Sequence, residues 1–411
     1  MSEIGNESTS SANTANGASR ELPKISRRQF LHIARDFAVL ALIPQLARPV
    51  GASTAEAVNT RSFSEITGLD EKELQKSGFN IENFEHNPNG GSDYILVIGQ
   101  THYNPFIQDV HKSGNAEFMS SQNIIENIIA EIIRNKGIKT VFSEGVSDSS
   151  ITDLDLLREL KQVLETENLD IASIYHRLEY LKRIELQLFS SAAVSKDITG
   201  LAEEPYSYLR GAVYYAFEDY LARAENFINN NPDLEIPPLN KISGANEQIV
   251  EPIIHVRNYI GEALKNIGQY LSRYGFQDVR SSLLATTRLH MDGKINVKPA
   301  ESTELNEQAV KLLQDMLDAK RNLASDPANK DLIRQFNETV SAFNKNKRNY
   351  VFERREIEAI RRVTDSEAEG NLRVLVYGDS HDFLAWVKKF NKDHPRRTWG
   401  YIQLGKIASE E

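Results

Sequence analysis

Two segments far apart in the chain each run without interruption from apolar residues into a Gly-x-x-His turn: Tyr94-Ile95-Leu96-Val97-Ile98 into Gly99-Gln100-Thr101-His102, and Val374-Leu375-Val376-Tyr377 into Gly378-Asp379-Ser380-His381. A strand that is apolar at every position is buried on both faces, which is the habit of parallel sheets covered by helices. A strand-ending glycine lets the backbone turn sharply and removes side-chain bulk beside a ligand. These two segments predict an α/β fold with a mainly parallel sheet, and a site at the carboxyl ends of its strands, where open parallel sheets bind ligands.

The flanking sequence supports the sheet. Ile124, Ile125, Ile128, Ile129, Ile132 and Ile133 recur at helical spacing within 121–135, and Gly137 follows as a stop. Ile138 to Phe142 reads as the next strand and ends in Ser143-Glu144-Gly145. Strand, helix and strand in this length predict a βαβ unit with parallel strands. Near the C-terminus, 353–363 and 383–391 read as helices and 399–404 as a last strand. Between the two ends, about 150–350, almost everything reads as helix, with one short strand candidate at Ile198-Thr199-Gly200-Leu201. The expected organisation is a lead-in at 58–92 with one short helix near 71–76, a first half of the core at 93–150, a helical insert at 151–345 and a second half of the core at 346–411. The sheet is expected from the two chain ends.

The first 57 residues read differently. Residues 1–20 are rich in Ser, Asn, Ala, Thr and Gly and lack the apolar content to order themselves. Then come Ser26-Arg27-Arg28-Gln29-Phe30-Leu31, a weakly apolar stretch from Phe37 to Ala47, Arg48, and Ala55-Glu56-Ala57. This pattern resembles a twin-arginine export signal with an Ala-x-Ala cleavage site, which implies the export machinery as a partner and a periplasmic or otherwise exported destination. The apolar run is too short for a permanent membrane span.

Composition narrows the chemistry. There is no cysteine among the 411 residues, so a thiolate metal site, a cysteine nucleophile and covalent haem attachment are all excluded. The formal net charge of -10 disfavours a phosphate backbone as partner, so no nucleic-acid binding is expected. No Gly-x-Ser-x-Gly elbow, phosphate loop or Gly-x-Gly-x-x-Gly occurs. That leaves His, Asp, Glu and Arg to carry any chemistry. His102, Glu144 and His381 each end a strand, and such residues ligate metals or work as general acids and bases.

The two strand–Gly-x-x-His turns, with Glu144 at a third strand end, resemble the superfamily of TraB and Tiki proteins, erythromycin esterase-like enzymes and ChaN-like proteins. The resemblance covers Ile95–His102, Thr140–Glu144 and Val374–His381. It implies a site of His102, Glu144 and His381, with Gly99, Gly378 and Asp379 at its turns and a late arginine matched by Arg348. It also implies a second acidic residue, matched by Glu203 or Glu204. Its branches differ in chemistry: metal-dependent peptidases, lactone esterases that activate water with a histidine, and haem binders. The expected function is therefore a hydrolase of ester or peptide bonds, acting on a small molecule or peptide, with a divalent metal on His102, His381 and Glu144 in its metal-dependent form. A haem-binding protein, or an interaction protein on the same scaffold, is the alternative. In this reading Arg348 stabilises negative charge and Asp379 orients an imidazole.

Other residues draw weaker expectations. His111 and His394 read as solvated loop residues, and His176 and His255 as ordinary helix residues. His290 reads as part of a loop able to reach the site. Tyr206, Tyr208, Tyr214 and Tyr215 read as helix packing. Arg354, Arg355, Arg361 and Arg362 read as a solvated helix face balanced by Glu353, Glu356 and Glu358.

Overall fold

The computed structural model describes residues 61–100, 111–193, 205–231, 252–305, 329–346, 352–367, 370–378 and 381–407, with scattered positions between 308 and 326. A six-stranded sheet runs in the order β1-β6-β2-β5-β3-β4. Its strands are β1 (Phe79–Glu85), β2 (Tyr94–Gln100), β3 (Thr140–Ser147), β4 (Asn296–Glu301), β5 (Leu372–Gly378) and β6 (Gly400–Lys406). Only β1 is antiparallel to its neighbour, so the sheet is mostly parallel, as the apolar strands require.

The helices are α1 (Phe63–Thr67), α2 (Glu71–Lys76), α3 (His111–Lys136), α4 (Asp148–Thr166), α5 (Ile171–Ala193), α6 (Pro205–Asn230), α7 (Pro252–Tyr274), α8 (Ala285–Met291), α9 (Lys330–Asn346), α10 (Arg354–Asp365) and α11 (Leu384–Asp393). Every residue of β2 and β5 is buried. The alternation of their side chains divides the core in two. Leu96, Ile98, Val374 and Val376 pack with Ile125, Ile129 and Ile132 of α3 on one face. Ile95, Val97, Leu375 and Tyr377 pack with Ala359, Ile360 and Val363 of α10 and with Val387 of α11 on the other. A third core joins α4, α5, α6 and α7 into the helical part.

Two strands depart from the expectation. The stretch 151–345 supplies β4, so the sheet is not built from the chain ends alone. Asn296-Val297-Lys298-Pro299 carries no apolar run, and Pro299 is tolerated because β4 is an edge strand. The lead-in holds two helices and the other edge strand, β1, rather than one helix. β1 alternates polar and apolar residues and slips register between Ile81 and Asn83, which hides its period. The strand candidate Ile198–Leu201 and the whole export-signal region lie outside the described residues.

The register fixes the geometry of the site. β2 and β5 are adjacent and parallel, with Gln100 opposite Gly378. The strands that lead into the two Gly-x-x-His sequences therefore end side by side at one end of the sheet. β3 flanks β5 on its other side, with Ser143 opposite Val376. That pairing brings Glu144 level with Tyr377, on the α10 face. Gly99 lies opposite Tyr377 on the same face and adds no side chain there.

Candidate active site

Glu144, His381 and Tyr377 meet at this end of the sheet, all buried. His381 Nε2 stands 3.7 Å from Glu144 Oε1. Glu144 Oε2 accepts the Gly378 N–H at 2.5 Å, so the glycine opening the second turn fixes the carboxylate at the end of the neighbouring strand. His102, Asp379, Arg348, Glu203 and Glu204 lie outside the described residues.

The arginine among the described site residues is Arg355, and this corrects its reading as part of a solvated face. Its side chain is 0% exposed. Its Nη2 donates to Glu144 Oε1 at 3.0 Å and to Glu301 Oε1 at 2.5 Å, and its Nε donates to Glu301 Oε2 at 3.0 Å. The Tyr377 hydroxyl donates to Glu301 Oε1 at 2.8 Å. Burial opposes the Arg355 charge, but Glu301, Tyr377 and Glu144 outweigh it and hold its pKa above the ordinary arginine value. Burial, together with both carboxylates, holds the Tyr377 hydroxyl well above its usual range and keeps it a donor. The guanidinium neutralises charge between two strand-end carboxylates that would otherwise repel each other.

His381 is held from its other side. Glu356 Oε1 accepts from His381 Nδ1 at 3.1 Å and from the Asp382 N–H at 2.9 Å, and Glu356 Oε2 accepts from Trp386 Nε1 at 2.8 Å. Burial pushes the Glu356 carboxyl up, yet the bonds from His381, Trp386 and Asp382 more than offset this, and its pKa lies below the usual glutamate value. An ionised carboxylate only accepts, so Nδ1 carries a proton toward Glu356, and Nε2 is the nitrogen that faces Glu144. Phe352 and Tyr377 pack on the ring, with centroids 4.9 and 4.7 Å away.

Helical spacing places these residues. On α10 the buried positions are Arg355, Glu356, Ala359, Ile360, Val363 and Thr364. The apolar stripe Ala359-Ile360-Val363, carried one turn back, lands on Arg355 and Glu356. That stripe was the available signal for both, and it separates them from Arg361 and Arg362, which pair with Glu358 on the opposite side. Glu301 closes β4 as Glu144 follows β3's apolar run, but no apolar run announces it.

His290 is not in a loop. It lies on α8, buried, with Val297 N donating to its Nδ1 at 3.3 Å and Asp155 Oδ1 3.3 Å from its Nε2. Tyr214 is buried in the helical core. Tyr215 donates to Asp292 Oδ1 at 2.5 Å.

Among the described residues no three His, Asp or Glu side chains form a group able to hold a metal. The cation between Glu144 and Glu301 is the Arg355 guanidinium, so the described residues do not fit a divalent metal by themselves. Comparison with known protein families, with characterised proteins and with solved structures finds no match to the chain.

Proposed function

We propose that this chain is a hydrolase of ester or peptide bonds in which His381 activates water. The observation that carries the reading is the bracketing of one buried imidazole, with Glu356 on Nδ1 and Glu144 across from Nε2. A carboxylate on one imidazole nitrogen fixes the tautomer and stabilises the imidazolium formed when the other nitrogen takes a proton. In this reading Nε2 removes a proton from water as the water oxygen attacks the carbonyl carbon. The C–O or C–N bond then breaks, and the leaving group takes the proton from Nε2. Glu144 stabilises the transient imidazolium. Arg355 is a positioning residue, since its Nε and Nη2 are spent on Glu144 and Glu301.

Export through the twin-arginine route belongs to the same proposal and rests on Arg27, Arg28 and the sequence after them. No helix among the described residues is long and apolar enough to cross a membrane.

The test is a panel of aryl esters, lactones and short peptides hydrolysed in ¹⁸O-labelled water, with and without chelator. The reading expects label in the product carboxylate, loss of turnover in H381A, and turnover that survives chelation. No hydrolysis across the panel, or full turnover in H381A, would overturn it. Loss of turnover on chelation would return the metal-dependent form.

A further inference from the structure

A cavity of about 340 Å³ is lined by the end of β1, the loop after it, α11 and the loop 394–399. Its place follows from the register. Gly400, which starts β6, pairs with Tyr94, which starts β2, so the loop 394–399 stands at the amino ends of the parallel strands. Glu144 and His381 stand at the carboxyl ends, so this cavity is separate from their site. Its volume falls within the range of small-molecule sites, roughly 300–1,000 Å³.

The walls are tied to one another by direct bonds. Asn89 Nδ2 donates to the Pro395 carbonyl at 2.7 Å, which joins the two loops. Asn87 Nδ2 donates to the Thr398 carbonyl at 2.6 Å, and the Thr398 hydroxyl donates to Asn87 Oδ1 at 2.7 Å. On the α11 side, Asn391 Nδ2 donates to the Trp399 carbonyl at 2.8 Å and its Oδ1 accepts the Trp399 N–H at 2.9 Å. The cavity is thus formed before anything enters it, which lowers the cost of binding. The rest of the lining is mainly apolar, with Leu384, Val387, Pro88, Pro395 and Trp399. Lys388 and Lys392, one helical turn apart on α11, supply its cations. Lys388 donates to Glu85 at 2.9 Å, and Asp393 is taken by Lys389 at 2.6 Å. Lys392 is therefore the lysine of this wall that is in no ion pair among the described residues.

We propose that this cavity binds a small apolar monocarboxylate, with its body against Leu384, Val387 and Trp399 and its carboxylate on the Lys392 ammonium. Apolar walls reward an apolar body by removing its surface from water. One uncommitted ammonium matches one negative charge and makes a charge-assisted hydrogen bond to it. Glu85, already held by Lys388, would repel the second charge of a dianion and leaves no carboxylate to receive a cationic ligand. Aryl and alkyl acids share this chemistry, and the titration separates them.

The experiment titrates the full chain with 4-phenylbutyrate and with octanoate by calorimetry. Trp386 and Trp399 are the two tryptophans, so W386F leaves Trp399 to report from the cavity wall by fluorescence. The expected result is one-site saturation by at least one acid, with a change in Trp399 emission; the tighter acid names the body. K392A, at an exposed position, should weaken binding roughly tenfold, and K392R should restore most of it. L384W, which fills the cavity, should abolish it. 4-Phenylbutanol and octanol, the same bodies without charge, should bind at least about tenfold more weakly. No saturable binding of either acid would overturn the proposal. So would equal binding of acid and alcohol, or an affinity unchanged in K392A or L384W. H381A should bind the acid as tightly as wild type, and loss of binding there would place the acid in the other site. Because no activity is read, failure here and failure of the hydrolase reading are distinguishable.

Discussion

Glu356 Oε1 lies 3.1 Å from His381 Nδ1, and the two residues come from different elements: Glu356 from α10 and His381 from the turn after β5. The same carboxylate also accepts from Asp382 and Trp386, so the bond is held rigidly. E356Q keeps an acceptor for Nδ1 but removes the charge that compensates the imidazolium. It should lower kcat roughly 10²–10⁴-fold with little change in KM. E356D, with the charge kept and displaced, should recover part of the loss. Steady-state kinetics of the two variants check this.

Arg355 is fully buried between Glu144 and Glu301. Removing one partner of a buried ion pair leaves an uncompensated charge and costs about 3–5 kcal/mol. R355A should therefore lower the denaturant midpoint far more than R354A. A fall of less than about 1 kcal/mol in R355A would contradict the buried network.

Burial, with Arg158 nearby, depresses the His290 pKa from 6.5 to about 4, against the pull of Asp155. The folded state thus binds its proton later than the unfolded chain does. The stability that His290 contributes as a neutral group is full above pH 6.5 and is lost as the pH falls toward 4. H290Q should flatten the stability profile across that window and leave it unchanged in shape above pH 7. Urea unfolding at stepped pH measures both limbs.

Replacing Arg27 and Arg28 together with Lys should hold the precursor in the cytoplasm, because the export receptor reads the guanidinium pair. Fractionation with an antibody against the mature part checks this. Normal processing of the double variant would remove the export assignment.

Much of the sheet and part of the site were readable from the chain. Runs such as Ile95–Ile98 and Val374–Tyr377 are apolar at every position because helices cover both faces, and that pattern admits few other readings. Glu144 and His381 follow such runs directly. β1 and β4 were not readable, because edge strands are half-solvated and have no continuous apolar run; Glu301 was missed along with β4. Arg355 and Glu356 read as a solvated face because four arginines and three glutamates crowd 353–362 at helical spacing. The phase of Ala359, Ile360 and Val363 decides which charges face inward, and it assigns these two to the site.

In the proposed reaction His381, gripped by Glu356, is the base that activates water. The most direct test is kcat/KM of wild type and H381A on the best ester or lactone substrate found. H381A should lose at least about 10³-fold with the fold intact by circular dichroism. Equal kcat/KM in the two proteins would contradict it.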